Sequence, residues 1–166
     1  MSPATARFER LSRSPEQTVE FGRRIGAALR PGDFLALHGD LGAGKTTLTR
    51  GIAAGLGILD RVASPSYLLC HEYPGPVPFL HLDAYFEARM DGVLADGLVE
   101  RFAGAVVVAE WAERLGAWLP ADRLELELSG QGAERLLRFG ASGPESAARL
   151  EDLRAALPAP ETEGKP

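Results

Sequence analysis

Eight consecutive residues carry the clearest chemistry: Gly39-Asp40-Leu41-Gly42-Ala43-Gly44-Lys45-Thr46. They fit the pattern of a glycine, four residues, then Gly-Lys and a hydroxyl residue. Glycines let a backbone wrap a phosphate chain with its N–H groups turned inward, through dihedrals that side chains resist. A helix opening near Lys45 would add its positive end to the same anion. Lys45 can reach terminal phosphates, and the Thr46 hydroxyl can serve Mg²⁺. With 19 Gly and few Lys in the chain, one window matches by chance with a probability of about 10⁻⁵.

Lysine usage singles out the same position. Of 18 basic residues, 16 are Arg and two are Lys, Lys45 and Lys165. An Arg-rich composition explains why lysines are scarce, not why one stands at this place. A slim ammonium can thread along a phosphate chain, whereas a planar guanidinium is too wide for the loop.

Further candidates follow the loop. Asp83 ends the apolar run Pro78–Leu82, and Glu110 ends the β-branched run Ala105–Ala109. A carboxylate at the C-terminal end of a core strand faces the ligand crevice of an open α/β sheet and can serve a metal or an attacking water. Ser64-Pro65-Ser66-Tyr67 occupies the region where such proteins carry a hydroxyl-bearing, phosphate-sensing switch. His38, His71 and His81 lack metal spacing and read as structural. Cys70, the single cysteine, reads as a small buried hydrophobe within a strand.

The elements that must hold these residues alternate. Ser14-Pro15-Glu16-Gln17 predicts a helix start with Ser14 as cap, Pro15 at the first position and Gln17 closing a capping box. Pro31-Gly32 ends that helix. Phe34–Leu37 reads as a buried strand before the loop, and Thr46–Leu56 as the helix after it. Strands are expected near Tyr67–His71 and Val77–Leu82, with Tyr73–Pro76 as a turn. A helix is expected over Phe86–Phe102, interrupted at Gly92 or Gly97, then the strand Ala105–Ala109. Leu124–Leu128 and Leu136–Phe139 predict a hairpin, and Glu145–Leu157 a last helix. The expected fold is α/β, a three-layer sandwich with a mixed, partly parallel sheet and a late antiparallel hairpin. Residues 1–157 form a single domain in this reading, and 158–166 a disordered tail.

Composition bounds the function. The chain has 166 residues with 45% hydrophobic and 25% charged, which suits one globular domain and excludes a disordered chain. A net charge of −5 gives no global basic field for nucleic acid or anionic membranes. No apolar run reaches membrane-span length and the N-terminal region lacks a signal-peptide core, so a cytoplasmic location is expected. Guanine reading by Asn-Lys-x-Asp is excluded, because the chain has no Asn.

Taken in order, Gly39–Leu48 with Arg50-Gly51, Ser64-Pro65-Ser66-Tyr67, His81-Leu82-Asp83-Ala84-Tyr85 and Glu110-Trp111 resemble the TsaE (YjeE) family over roughly residues 14 to 140. The resemblance implies a small bacterial P-loop ATPase that serves threonylcarbamoyl modification of the adenosine beside the tRNA anticodon. It implies ATP and Mg²⁺ as ligands, a TsaB–TsaD complex as partner, and tRNA contact only through that complex. By matching position it implies phosphate binding by the loop from Asp40 through Gly44 with Lys45, and metal binding by Thr46 and Glu110. It also implies a metal or water role for Asp83, and a nucleotide site lined by Thr47, Trp111 and Arg135. Three positions depart from the family: Ser66 stands for a switch Thr, Phe86 for an Arg, and Ala112 for a Pro. The alternative reading of the loop is a small-molecule or nucleotide kinase.

Overall fold

Phe34–His38 is buried along its whole length except at its last residue, and the reason is its place at the centre of a seven-stranded sheet. A computed structural model describes residues 7–63, 69–85 and 87–160. Ser64, Ser66, Phe86 and Lys165 lie outside the described residues. In chain order the elements are β1 (Arg7–Ser12), α1 (Pro15–Ala28), β2 (Phe34–His38), α2 (Lys45–Gly55), β3 (Cys70–Tyr73), β4 (Phe79–Asp83) and α3 (Glu87–Val93). After them come β5 (Val106–Glu110), β6 (Leu124–Ser129), β7 (Arg135–Ala141) and α4 (Pro144–Ala156).

The sheet runs β1-β7-β6-β2-β5-β4-β3. β6, β2, β5 and β4 are mutually parallel, while β7, β1 and β3 join antiparallel at the margins. Alternation along the central strands divides the core in two. Leu35, Leu37, Val106 and Val108 face α1, α2 and α4 with Ile25, Leu48, Ile52 and Leu150. Phe34, Ala36, Val107 and Ala109 face the opposite layer with Met90, Leu94, Phe102 and Leu115. This is the expected three-layer α/β sandwich with a partly parallel sheet and a late hairpin, β6–β7.

Several local readings change. Ser14 caps α1 by accepting the Gln17 amide at 3.1 Å, but Gln17 Oε1 accepts from the Arg13 amide, so the return half of the predicted box closes one residue early. The strand placed at Tyr67–His71 is β3, four residues from Cys70, and Tyr73 belongs to it because its ring packs on Phe79 in the core. The helix placed over Phe86–Phe102 winds regularly only to Val93; a wide π turn (Leu94–Leu98) with Gly97 at φ 107 and a 3₁₀ stretch (Val99–Gly104) complete it. β1 escaped prediction, because two of its three inward positions are Arg10 and Ser12 rather than apolar residues.

Two carboxylates make the fold acid-sensitive. Asp122 accepts the amides of Ser146 (2.8 Å) and Glu145 (2.9 Å) and so caps α4 from the loop before β6. Desolvation pushes its carboxyl up, and these bonds more than offset that, leaving it below the usual range. Glu125, which is buried, is pushed up by desolvation and pulled down further by its hydrogen bond to His38 and by Arg123 at 2.7 Å. A group whose folded pKa is depressed stabilises the protein above its unfolded pKa and loses that contribution as pH falls through the folded value. The urea midpoint is therefore expected to hold from about pH 8 to about pH 5 and to decline below about pH 4.5. In Glu125→Gln that acid decline should be shallower; an unchanged profile would contradict the assignment.

Candidate functional site

The loop between β2 and α2 is built on glycines at positive φ. Gly44 caps α2 at φ 99, ψ 15, and Gly39 sits at φ 146. A Cβ on Gly39 would stand 2.6 Å from the carbonyl oxygen of Leu128 on β6, so the loop root can pass β6 only without a side chain. Helical bonding starts at once, from the Leu48 amide to Gly44 O at 2.9 Å. α2 therefore begins at Lys45, one residue earlier than read from sequence.

Lys45 is buried, and its Nζ donates to the carbonyls of Gly39 (2.6 Å) and Asp40 (3.1 Å). Its ammonium also lies 5.0 Å from the centre of the Trp111 ring. Arg135, on β7, reaches the back of the same loop. Its Nε donates to Ala43 O at 2.8 Å and its Nη2 to Gly42 O at 3.2 Å, while Nη1 is held by Gly132 O and Glu134 O at 2.6 Å each. The guanidinium thus braces loop carbonyls and does not line the cleft in front of them.

That cleft has a volume of about 620 Å³, within the ordinary range for a small-molecule site. It is lined by Leu41, Gly42, Gly44, Lys45, Thr46 and Thr47 from the loop and α2, and by Asp83, Tyr85, Glu110 and Trp111 opposite. Asp40 and Ala43 face a smaller hollow behind the loop with Glu113 and Glu127. Leu41, at the loop tip, is 92% exposed.

The two carboxylates arrive by register. Asp83 and Glu110 are paired residues at the C-terminal ends of the parallel strands β4 and β5. Thr46 Oγ1 donates to Glu110 Oε1 at 3.3 Å, which ties the start of α2 to β5. Asp83 Oδ1 accepts the Tyr85 amide at 3.0 Å. Sequence reading missed the partner beneath them. His81 is fully buried, with Nε2 3.4 Å from Glu110 Oε2, and among the described residues neither ring nitrogen has a hydrogen-bond partner.

A hydroxyl and two strand-end carboxylates beside a loop that can bind phosphates suit Mg²⁺, which takes few protein oxygens and keeps waters and phosphate oxygens for the rest. Among the described residues no group of three or more His, Cys, Asp or Glu could hold a metal by itself. The donor set therefore fits a metal that arrives with a phosphate chain.

An aromatic wall closes the far side. Trp111 has left-handed backbone angles (φ 55, ψ 38), which cost a non-glycine residue about 1 kcal/mol. Its ring meets Tyr85 edge-on at 5.4 Å, and Arg114 lies over both rings at 4.7 and 5.1 Å. Arg114 comes from a 3₁₀ turn, Ala112–Trp118, that follows β5 directly and that sequence patterning did not reveal. Cys70 lies in β3 but is half-buried rather than fully buried as expected, and desolvation pushes its thiol up to about 11.

A parallel central sheet, a glycine loop leading into a helix after its middle strand, and carboxylates on the neighbouring strand ends define a P-loop nucleoside-triphosphatase fold. Within that class the family is specific. The family model described as "Threonylcarbamoyl adenosine biosynthesis protein TsaE" matches residues 12–137. The TsaE of Bacillus subtilis (strain 168) is 41% identical over 144 residues, covering 84% of this chain and 89% of that protein. That of Streptomyces coelicolor is 42% identical over 117 residues, 66% of this chain and 76% of that protein. The crystal structure of Bacillus subtilis YdiB superimposes with a TM-score of 0.76 at 34% identity, over 90% of this chain and 95% of that one. The chain belongs to the TsaE family.

Proposed function

We propose that this chain binds ATP with Mg²⁺ and hydrolyses it as the ATPase subunit of tRNA threonylcarbamoyladenosine biosynthesis. Its output is a reset of a TsaB–TsaD complex between turnovers. The observation that carries this reading is the convergence of Lys45, Thr46, Asp83 and Glu110 on one cleft fronted by the loop backbone. The loop amides and Lys45 bind the phosphates, and Thr46 and Glu110 hold the metal. Asp83 supports the metal or orients the attacking water, and Trp111 and Thr47 line the nucleotide's path. When bound, Mg²⁺ would offset phosphate charge. Ser64 and Ser66, outside the described residues, supply the switch hydroxyls of this reading by their place in the sequence.

Slow turnover of the isolated chain belongs to the same reading. Arg135 is committed to loop carbonyls and Arg114 to two aromatic rings, which favours a partner that completes the charge on the transition state. The net charge of −5 favours tRNA contact through the partners. Among the described residues no helix is long and apolar enough to cross a membrane.

Reconstitution with TsaB, TsaD, tRNA and threonylcarbamoyl-adenylate tests the proposal. Modification should proceed past one turnover only when this chain and ATP are present, and Thr46→Val should lower phosphate release by about 10²-fold. A phosphorylated acceptor without free phosphate would identify a kinase instead.

A further inference from the structure

His38 stands outside the cleft, yet it joins the two sides that form it. It is the last residue of β2, and Gly39 opens the phosphate loop directly after it. By alternation it points to the face of Ala36, away from α1 and α2. On that face its Nε2 meets Glu125 of β6, and its Nδ1 lies 3.3 Å from Glu113. Glu113 belongs to the 3₁₀ turn that starts at Trp111, closed by the Arg114 amide on Trp111 O at 2.9 Å. One imidazole therefore bridges β6, the root of the loop and the Trp111 turn.

Charged groups surround it. Glu125 is 1% exposed and is fixed by Arg123 on its other oxygen. Glu113 is 53% exposed. Glu127 is the register partner of His38 on β6 and lies 4.0 Å from Arg138. On β5, Glu110 pairs in register with Leu37, but its carboxylate is directed to Thr46 and His81. Two carboxylates thus address the two ring nitrogens.

We propose that His38 is a positioning residue: held between Glu125 and Glu113, it ties the turn that carries Trp111 to the root of the phosphate loop. The left-handed Trp111 backbone is strained and persists only where its surroundings over-determine it. The His38–Glu113 contact fastens that turn from below, as Tyr85 and Arg114 fasten the ring from above. Loss of the imidazole, or of Glu113, frees that end of the turn and loosens the indole over Lys45. The consequence for ATP rests on the proposed function; the tether itself does not.

Quenching of Trp111 by acrylamide in the nucleotide-free protein tests this, in a Trp118→Phe background that leaves one indole. The parent should be weakly quenched. His38→Gln and Glu113→Gln should be quenched more strongly, on the order of twofold. Glu113 is half exposed, so its variant keeps the test alive should His38→Gln not fold. Folded variants that match the parent would overturn the tether. Binding of a fluorescent ATP analogue is read in parallel: if no protein binds it while the quenching pattern holds, the tether stands and the ATPase reading falls.

Discussion

Lys45→Ala is expected to lower ATP hydrolysis by about 10³-fold and to abolish multiple-turnover tRNA modification, with little loss of fold. In the proposed function the ammonium supplies the one full positive charge that the loop places at the phosphates, in a buried setting where such a contact is worth most. Its removal leaves the carbonyls of Gly39 and Asp40 without this donor. Two lost hydrogen bonds cost about 2 kcal/mol, so the melting temperature should fall by no more than about 8 °C. Retained hydrolysis at a tenth of the parent rate or better would show that the loop does not act on the terminal phosphates.

Lys45→Arg sharpens the result, because it keeps the charge. The lysine ammonium sits 5.0 Å from the Trp111 ring and within hydrogen-bond distance of two loop carbonyls. A guanidinium is broader and planar, and it must displace the indole or the loop backbone to enter. The arginine variant should therefore stay within about tenfold of the alanine variant. In a chain with 16 Arg and two Lys, that outcome would explain why this position resists the general replacement.

The parts of the site that could be read from sequence are those whose residue types are dictated by local chemistry. The loop needs glycines and a lysine at fixed offsets, and Asp83 and Glu110 close apolar strand runs, so all were visible in one dimension. The fold class followed from apolar runs such as Val106–Val108. What stayed hidden depends on distant segments meeting. β1 buries Arg10 and Ser12, so it shows no apolar alternation. Arg10 is accommodated by donating to the carbonyls of Glu9 and Arg154 and by stacking 4.8 Å from the Phe8 ring. The family resemblance implied a nucleotide contact for Arg135; that it braces loop carbonyls is visible only where β7 approaches the loop. His38 and His81 were read as structural because no metal spacing links them, and spacing says nothing about carboxylates that arrive on neighbouring strands. The glycine spacing of the two first helices was present in the sequence and has a meaning that emerges only where they cross.

Gly51→Ala is expected to destabilise the protein by about 3 kcal/mol, lowering its melting temperature by about 6 to 12 °C. α1 and α2 cross with their backbones in contact. A Cβ on Gly51 would stand 2.2 Å from Val19 O and 2.9 Å from Gly22 Cα. Across the same crossing, a Cβ would stand 2.4 Å from Leu48 O at Gly22, 2.1 Å from Ile52 O at Gly26, and 2.1 Å from Arg23 O at Gly55. The atoms met are backbone, which cannot rotate aside, so the helices must part. Alanine's higher helix propensity returns about 1 kcal/mol and does not reverse the sign. Parting the helices also moves the start of α2, where Lys45 and Thr46 stand; displacement of about 1 Å can cost about 10²-fold in rate. Gly51→Ala should thus slow phosphate release in protein that is still folded, which separates it from a remote destabilising change. Gly22→Ala should act alike, and the double variant should cost less than the sum of the two, because helices already parted by one methyl accommodate the second. A melting temperature within about 1 °C of the parent, or strict additivity of the pair, would mean that the crossing yields without moving α2.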